Sequence, residues 1–318
     1  MQNKLLVILG PTASGKTDLS IKLAKKYNGE VVSADSRQIY KGMDVGSGKI
    51  TKKEMRGVPH YLLDVANPKR KFSVAQYQKL ALKAIKNIQK RGKLPILVGG
   101  TGFYIQSVVD GIIIPEVKPD WELRKKLEKI ALPELFKRLQ KLDPVRAGTI
   151  DQNNPRRVLR ALEIAITLKG PVPTLRRNEP GFDILQIGIT KSPTELKSNI
   201  NKRLLKRLQP ARRGGGKNAL INEVKKLRNP PAGGLSWKRL EEFGLEYRFV
   251  AQYLQNKITY QEMLNKIQIE SQHYAKRQMT WFKREPPSPT GFGEPGKKIH
   301  WITHITEAIS LLDTFVSK

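Results

Sequence analysis

The sequence has no cysteine, which excludes disulfide bridges, thiolate zinc sites and cysteine nucleophiles. Its four histidines, His60, His273, His300 and His304, are too scattered to indicate a metal cluster. No segment approaches the roughly 20 consecutive apolar residues of a membrane-spanning helix, so we expect no membrane partner. With 318 residues, 39% of them apolar, the chain is a globular protein long enough for a full core and for either two domains or one domain with an insertion.

Acidic residues are also scarce. The chain has 28 of them against 59 lysines and arginines, a net charge of +31. A solubilising surface is one explanation of this excess, and a nucleic-acid-binding surface is the one that we favour. Contacts to phosphates would then supply much of the affinity for nucleic acid, and that affinity should fall steeply with salt.

Short apolar runs alternate with helical patterns along the chain. Strands are predicted at Leu5–Leu9, Glu30–Ala34, Tyr61–Val65, Pro95–Val98, Ile184–Ile189 and Ile299–Ile302. A helix follows the first strand from Thr17, and another begins at a capping box of Ser73 and Gln76 and stops before Gly92. Alternating strands and helices predict an α/β fold with a parallel sheet.

The character of the sequence changes after Pro115. Trp121–Leu142 and Pro155–Leu168 have helical patterns rich in Arg and Lys, and strand character returns only at Ile184. We therefore predict a P-loop-containing parallel sheet flanked by helices, with a helical insertion domain. The core would comprise residues 1–118 and 183–318, the latter with C-terminal helices, and the insertion residues 119–182. Glycine- and proline-rich loops are predicted at Ala211–Lys217 and Glu285–Gly296.

The segment GPTASGKT matches the phosphate-loop pattern G-x-x-x-x-G-K-[ST] between a predicted strand and a predicted helix. Backbone N–H groups and the helix N-terminus would bind phosphate, and Lys16 would add a positive charge. The hydroxyl of Thr17 can reach a Mg²⁺ ion held by the phosphates. The candidate diphosphate- or nucleotide-binding residues are Gly10, Pro11, Thr12, Ala13, Ser14, Gly15, Lys16 and Thr17.

Two further loops should reach the same edge of the sheet, because parallel strands all end there. One carries Asp35 and Ser36, and the other carries Gly99, Gly100 and Thr101. A switch or motor ATPase usually ends a neighbouring strand in an acid, whereas the strand at Pro95 ends in glycine, so an ATPase is disfavoured. Three roles stay open for Asp35: a Mg²⁺ ligand through water, a cap of the following segment, or a base.

Five segments together resemble the tRNA dimethylallyltransferase family: GPTASGKT, SADSRQIYKGMDVGSGK, PILVGGTGFY, DPVRAGTIDQNNPRRVLRALEI and YAKRQMTWFKR. They occur in order between Gly10 and about Arg284. The resemblance implies transfer of a five-carbon prenyl group from dimethylallyl diphosphate, with Mg²⁺ as cofactor. The acceptor would be the exocyclic amine of the adenosine 3′ of the anticodon in tRNA, and diphosphate would leave.

The resemblance also implies roles for individual residues. Asp35 would take the amine proton, Thr101 would help to hold the base, and Thr12–Thr17 would bind the diphosphate. The basic insertion would hold the anticodon stem. The implied tRNA-binding residues are Asp35, Ser36, Arg37, Gln38, Thr101, Arg124, Arg156, Arg157, Val158, Leu159, Arg160, Arg248 and Arg277. One departure is Glu246, which stands where many members of the family have glycine.

Rival functions stay open at this point. Prenylation of a free adenine nucleotide would use the same chemistry, but it needs no surface of +31 charge. A P-loop kinase of a small metabolite and a non-enzymatic RNA-binding protein are the other two. For the favoured function, the expected partners are the anticodon stem-loop of tRNA and dimethylallyl diphosphate, and we expect a cytoplasmic monomer.

Overall fold

The structure is a computed structural model that describes residues 3–115, 117, 119–173, 176–178, 181–208, 218–230, 233–283 and 298–317. The predicted loops at Ala211–Lys217 and Glu285–Gly296 lie outside the described residues, as does Arg284. The chain divides into two compact units. The first comprises residues 1–111 and 179–318, and the second comprises residues 112–178.

The first unit begins with alternating strands and helices, as the sequence predicts. They are β1 (Lys4–Leu9), α1 (Lys16–Lys26), β2 (Gly29–Ala34), α2 (Lys52–Met55), β3 (His60–Tyr61), α3 (Val74–Lys90), β4 (Leu94–Gly99) and α4 (Gly102–Val109). The predicted capping box is confirmed, because the side chains of Ser73 and Gln76 each accept the backbone N–H of the other residue.

The second unit consists of β5 (Ile112–Ile113), α5 (Trp121–Leu127), α6 (Leu132–Leu142), α7 (Pro144–Thr149), α8 (Pro155–Leu168) and β6 (Arg176–Arg177). The two short strands pair antiparallel. The helices enclose an apolar cluster that includes Leu127, Leu139, Val158 and Leu162. A small helical core of its own makes this unit a separate packing entity.

The first unit resumes with β7 (Asp183–Ile189), α9 (Pro193–Leu208), α10 (Ala219–Arg228), α11 (Trp237–Glu242), α12 (Leu245–Leu254), α13 (Tyr260–Phe282), β8 (Ile299–Ile302) and α14 (Ile305–Ser317). In the described residues its sheet has six strands, in the order β3-β2-β4-β1-β7-β8, and every pair is parallel. The predicted α/β class is therefore confirmed.

Both faces of the sheet are buried, which explains why its central strands are continuously apolar. One face packs in a cluster with α3 and α4, and the other packs with α1 and α14. A third apolar cluster joins helices α9 to α13 to the segment after β2, through residues such as Ile39 and Met43.

The register of the sheet brings three strand ends to one level. Leu9 of β1 lies opposite Gly99 of β4, and Ala34 of β2 lies opposite the same Gly99. The residues that follow these positions therefore leave the sheet side by side. This alignment places the phosphate loop, Asp35 and the Gly100 loop together.

Two predicted elements differ from the structure. The strand predicted at Tyr61–Val65 is only the two-residue β3, because Leu62 and Asp64 have positive φ angles of 65° and 57° that end extended backbone. The helical segment predicted at Trp121–Leu142 is two helices, α5 and α6. Ala131 is extended between them, and Pro133 stands in the first turn of α6, where a proline is compatible with a helix start.

Candidate active site

The phosphate loop connects β1 to α1 and has the backbone geometry that its glycines allow. Gly10 has φ of 146°, and a Cβ there would lie 2.8 Å from the carbonyl oxygen of Ile189. The ammonium group of Lys16 donates to the carbonyls of Gly10 at 3.0 Å and Pro11 at 2.6 Å. The charged ammonium group lies over the loop, where it can attract an anion.

A cavity of about 230 Å³ opens over this loop. Residues of three predicted segments line it: Thr12 to Thr17 of the phosphate loop, Asp35 and Gln38 after β2, and Gly99 and Gly100 at the end of β4. Arg203 from α9 and Gln278 from α13 also line it, as do the polar residues Asp18, Ser20, Ser33 and His60. A phosphate-binding loop and a carboxylate thus share one space.

Asp35 caps the turn that follows β2, which was one of its three open roles. Its Oδ1 accepts the backbone N–H of Arg37 at 2.8 Å and that of Gln38 at 3.3 Å. Among the described residues, no hydrogen bond reaches its Oδ2. One oxygen therefore holds the local backbone, and the other is available to a proton or a cation.

Thr101 connects the β4 loop to the turn that contains Asp35. Its Oγ1 accepts the N–H of Ser36 at 3.0 Å, and its own N–H donates to the carbonyl of Ala34 at 3.2 Å. The nearby Tyr274 stays a neutral phenol, because burial first and the charge of Asp35 second raise its pKa to about 12. The two predicted catalytic residues, Asp35 and Thr101, are therefore fixed to one another through backbone.

Arg203 is a second cation over the phosphate loop. Its Nη1 donates to the hydroxyl of Thr12 at 3.2 Å, and its Nη2 lies within 3.5 Å of the carbonyls of Ser47 and Gly48. Burial, followed by the neighbouring charge of Arg207, lowers its pKa to about 10. The arginine stays charged at neutral pH at a desolvated position, which strengthens its attraction for an anion.

The glutamate that departs from the family pattern has a partner. Glu246 accepts a hydrogen bond from Arg207, and both side chains are nearly buried. Arg207 also donates to the carbonyl of Gly46 at 3.1 Å. Glu246 therefore neutralises Arg207, whose positive charge lies close enough to lower the pKa of Arg203.

The predicted tRNA-binding residues of the first unit differ in their surroundings. Arg37 donates to the carbonyl of Phe243 at 2.7 Å, and Gln38 donates to that of Gly48 at 3.4 Å. Arg248 donates to the carbonyl of Glu241 at 3.2 Å. Arg277 is exposed, with Glu270 at 3.8 Å. Of these four side chains, only Gln38 lines the cavity.

The predicted tRNA-binding residues of the second unit include both surface and core positions. Arg124 and Arg160 bind the buried carboxylate of Glu163, at 2.7 Å and 2.6 Å. Arg156 and Arg157 are exposed on the first turn of α8. Val158 is fully buried and Leu159 is half-buried, so the Val158 side chain is a packing residue and not a surface for RNA.

The oxygen donors of the cavity suit a magnesium ion. The hydroxyl of Thr17 and the carboxylate of Asp35 line the same space as the phosphate loop. Mg²⁺ commonly takes one or two protein oxygens, with waters and substrate phosphates as its other ligands. In the described ranges no group of three or more His, Asp or Glu side chains could hold a metal by itself. The donor set therefore fits an ion that arrives with a phosphate ligand.

Sequence reasoning missed Arg203 and Gln278. Arg203 is one of many basic residues on a helix, and no local pattern distinguishes it from its neighbours. Gln278 lies inside YAKRQMTWFKR, where the cations and aromatics attract attention first. Only its burial among polar loops, at 6% exposure, reveals its place in the site.

In the part of the chain that the structure describes, no helix combines the length and the apolar composition needed to cross a membrane.

Comparison with known proteins gives consistent results. The sequence model of a family described as IPP transferase matches residues 38–285. A tRNA dimethylallyltransferase of Acetivibrio thermocellus is 41% identical over 290 residues, which cover 89% of each chain. One of Carboxydothermus hydrogenoformans is 40% identical over 294 residues, covering 90% of this chain and 91% of the relative.

Solved structures extend the likeness to the fold. The tRNA isopentenylpyrophosphate transferase of Bacillus halodurans has a TM-score of 0.67 and 35% identity, with 99% of this chain and 96% of that chain covered. A eukaryotic dimethylallyltransferase described as acting on tRNA has a TM-score of 0.74 and 25% identity, and the match covers 99% of this chain and 80% of that one.

Proposed function

The chain belongs to the IPP transferase family, and from this premise we propose that it transfers a dimethylallyl group from dimethylallyl diphosphate to tRNA. The acceptor is the exocyclic amine of the adenosine 3′ of the anticodon. The bond between C1 of the prenyl group and the diphosphate oxygen breaks, and a bond between C1 and the amine nitrogen forms. The amine loses one proton, and diphosphate leaves with the electron pair of the broken bond.

The phosphate loop and two cations stabilise the departing diphosphate. Negative charge on the leaving oxygen grows as the carbon–oxygen bond breaks. Lys16 and Arg203, with the backbone N–H groups of the loop, provide positive charge and donors in a desolvated cavity. Donors that are fixed before the reaction stabilise such a transition state without reorganising.

The opposite side of the cavity receives the acceptor amine. Oδ2 of Asp35 accepts the amine proton late in the transfer, while Oδ1 keeps the turn in place. Thr101 is held beside this carboxylate and binds the adenine. The adenine must leave its stack to reach the cavity, and this costs least in a single-stranded anticodon loop.

Magnesium is part of this proposal. Thr17 would hold the ion against the diphosphate. When bound, Mg²⁺ neutralises charge on the phosphate oxygens and so lowers the barrier to their departure.

Exposed arginines of the second unit are proposed to bind the RNA backbone. Arg156 and Arg157 stand on the surface of the first turn of α8. Arg124 and Arg160 are held in position by hydrogen bonds to Glu163 and form part of the surface near these two arginines.

We propose that the enzyme is a cytoplasmic monomer, which is consistent with a tRNA substrate. Light scattering of the purified chain measures its oligomeric state.

The observation that carries this proposal is that the carboxylate of Asp35 and the phosphate loop line one cavity. The direct test incubates the protein with unmodified tRNA, dimethylallyl diphosphate and Mg²⁺, followed by mass analysis of the nucleosides. We expect a prenylated adenosine from tRNA and little product from AMP. AMP as the preferred acceptor, or ADP formation from ATP, would reject the proposal.

The role of Asp35 has its own test. Asp35→Asn keeps an oxygen for the N–H groups of Arg37 and Gln38 but removes the base, so we expect kcat to fall about 10²- to 10⁴-fold. The affinity for tRNA should stay nearly unchanged. Asp35→Ala should lose turnover as well. Asp313→Ala, which removes a carboxylate bound to Tyr27, is the control. Unchanged turnover in Asp35→Asn would remove this residue from the mechanism.

A further inference from the structure

Gln278 is a buried residue of α13 that hydrogen-bonds to two of the loops around the cavity. Its Oε1 accepts the N–H of Thr12 at 2.8 Å, and its Nε2 donates to the carbonyl of Gly100 at 2.8 Å. A glutamine amide carries its acceptor and its donor at a fixed separation in one plane. This side chain therefore holds the two backbones in one relative position.

In the proposed reaction, one of these loops serves the leaving group and the other serves the acceptor. Thr12 is part of the phosphate loop, which binds the leaving group. Gly100 precedes Thr101, whose hydroxyl accepts the N–H of Ser36 beside Asp35. Gln278 is thus a direct side-chain link between the diphosphate half and the acceptor half of the cavity.

The fit of this link is tight. A Cβ at position 100 would lie 2.1 Å from Nε2 of Gln278, so the glycine leaves the space that the amide occupies. Gln278 is 6% exposed, and a buried amide that lost either partner would leave a backbone group unpaired. Packing and hydrogen bonds therefore both fix the position of the Gln278 side chain between the two loops.

We propose that Gln278 is a positioning residue that sets the distance between the leaving diphosphate and the acceptor amine. The proposal rests on the proposed function and deepens it. Gln278 acts through Thr12 and Gly100 and needs no contact with either substrate. Displacement at carbon requires the nucleophile and leaving group to be aligned, and an error of about 1 Å can cost roughly 100-fold in rate.

Two substitutions separate this role from simple packing. Gln278→Met has a similar length and removes both hydrogen bonds. Gln278→Glu offers donor and acceptor only while its carboxyl is protonated. When ionised, it has acceptors alone and repels the carbonyl of Gly100. The activity of this variant relative to the unsubstituted protein should therefore rise as the pH falls.

Other charged and titratable groups line the same cavity as Gln278. They are Lys16 and Asp18 at the phosphate loop, Asp35 after β2, His60 of β3 and Arg203 of α9. The buried phenol of Tyr274, also on α13, lies near Asp35. Their titration affects the unsubstituted protein as well, so the comparison uses the ratio of the two activities at each pH. The pH dependence of that ratio reports the ionisation of the carboxyl that Gln278→Glu adds.

The experiment measures steady-state prenylation of tRNA with both substrates varied. For Gln278→Met we expect kcat to fall about 10- to 100-fold, with each KM changed less than about threefold. Burial raises the pKa of the carboxyl in Gln278→Glu, so we expect the relative kcat of this variant to rise at least about fivefold from pH 8 to pH 6. Gln89→Met is the control, since Gln89 donates to the carbonyl of Lys4 at 3.1 Å at the other end of β1. Its kinetics should not change.

Three results would overturn the inference: a folded Gln278→Met with kcat within twofold of the unsubstituted protein, a raised KM with unchanged kcat, or a pH-independent ratio for Gln278→Glu. If Gln278→Met does not fold, the ratio for Gln278→Glu decides alone. If the unsubstituted protein prenylates no tRNA, the proposed function fails and this inference fails with it. If the unsubstituted protein is active and the Gln278 variants give one of the three results above, this inference alone fails.

Discussion

The pKa of Lys16 is shifted because its ammonium group is buried over the phosphate loop. Burial lowers its pKa to about 7, the charge of Asp35 opposes this shift, and the charge of Arg203 adds to it. The free protein therefore loses part of this charge just above neutral pH. An anion in the cavity favours the charged form and raises the pKa again, so binding of diphosphate takes up a proton there.

This linkage predicts a pH dependence of substrate affinity. The affinity for dimethylallyl diphosphate should be highest at or below pH 7 and should fall above it, by at most about tenfold per pH unit for one proton. Calorimetric titration between pH 6.5 and 9 measures it. Lys16→Arg keeps its charge over this range, so its affinity should be flat above pH 7. A flat profile for the unsubstituted protein would contradict the prediction.

At the scale of the elements, a buried glutamate ties one edge of the sheet together. Glu30, at the start of β2, accepts from Arg91 and Lys93, each at 2.7 Å, and from Tyr61 of β3 at 2.8 Å. The Arg91 hydrogen bond is the largest cause that holds the pKa of Glu30 at about 2, and burial opposes it. This carboxylate links β2, β3 and the turn between α3 and β4.

The depressed pKa of Glu30 has a consequence for stability in acid. Stability from this group is complete above its ordinary pKa near 4.5 and is lost as the pH falls toward 2. The shift corresponds to about 3 kcal/mol at most. Urea unfolding should show Glu30→Gln less stable at pH 6, with the difference shrinking between pH 4.5 and 2.5. A difference that is constant over this range would show that Glu30 does not titrate between pH 4.5 and 2.5.

Elements also show why some predictions succeeded. The helix from Ser73 was predictable because its cap and its apolar stripe are local. The break between α5 and α6 also has a local signal in Pro133, but a continuous apolar and basic pattern obscured it.

For the whole molecule, the dominant property is the net charge of +31. A tRNA substrate is a polyanion, and cations that contact its phosphates release counterions. The logarithm of the tRNA association constant should therefore fall linearly with the logarithm of salt concentration. Arginines at the surface of the second unit, such as Arg156 and Arg157, are the residues that we expect to contribute to the slope.

A double substitution tests this contribution. Arg156→Ala with Arg157→Ala should weaken tRNA binding at 0.1 M salt and reduce the magnitude of the salt slope by about 1 to 2. The control is Lys83→Ala with Lys86→Ala, which removes two exposed cations from α3. Filter binding over 50–300 mM salt gives both slopes. Equal slopes for the two double variants would mean that the α8 arginines act only through net charge.

Features that depend on neighbours along the chain were predictable from the amino-acid sequence. These are the phosphate loop between β1 and α1, the alternation that predicts a parallel sheet, and the Asp35 turn and Gly100 loop at strand ends. Spacing and periodicity encode such features, because the atoms involved are separated by only a few residues.

The distant residues that line the cavity could be identified only in the folded protein. Arg203 and Gln278 follow the phosphate loop by nearly 200 and more than 260 residues and reach it only through the packing of α9 and α13. The tertiary structure also decided that Glu163 holds Arg124, 39 residues away along the chain, and that Val158 is in a core. The reason is physical: a hydrogen bond requires atoms within about 3 Å, and sequence separation carries no information on that distance until the chain has folded.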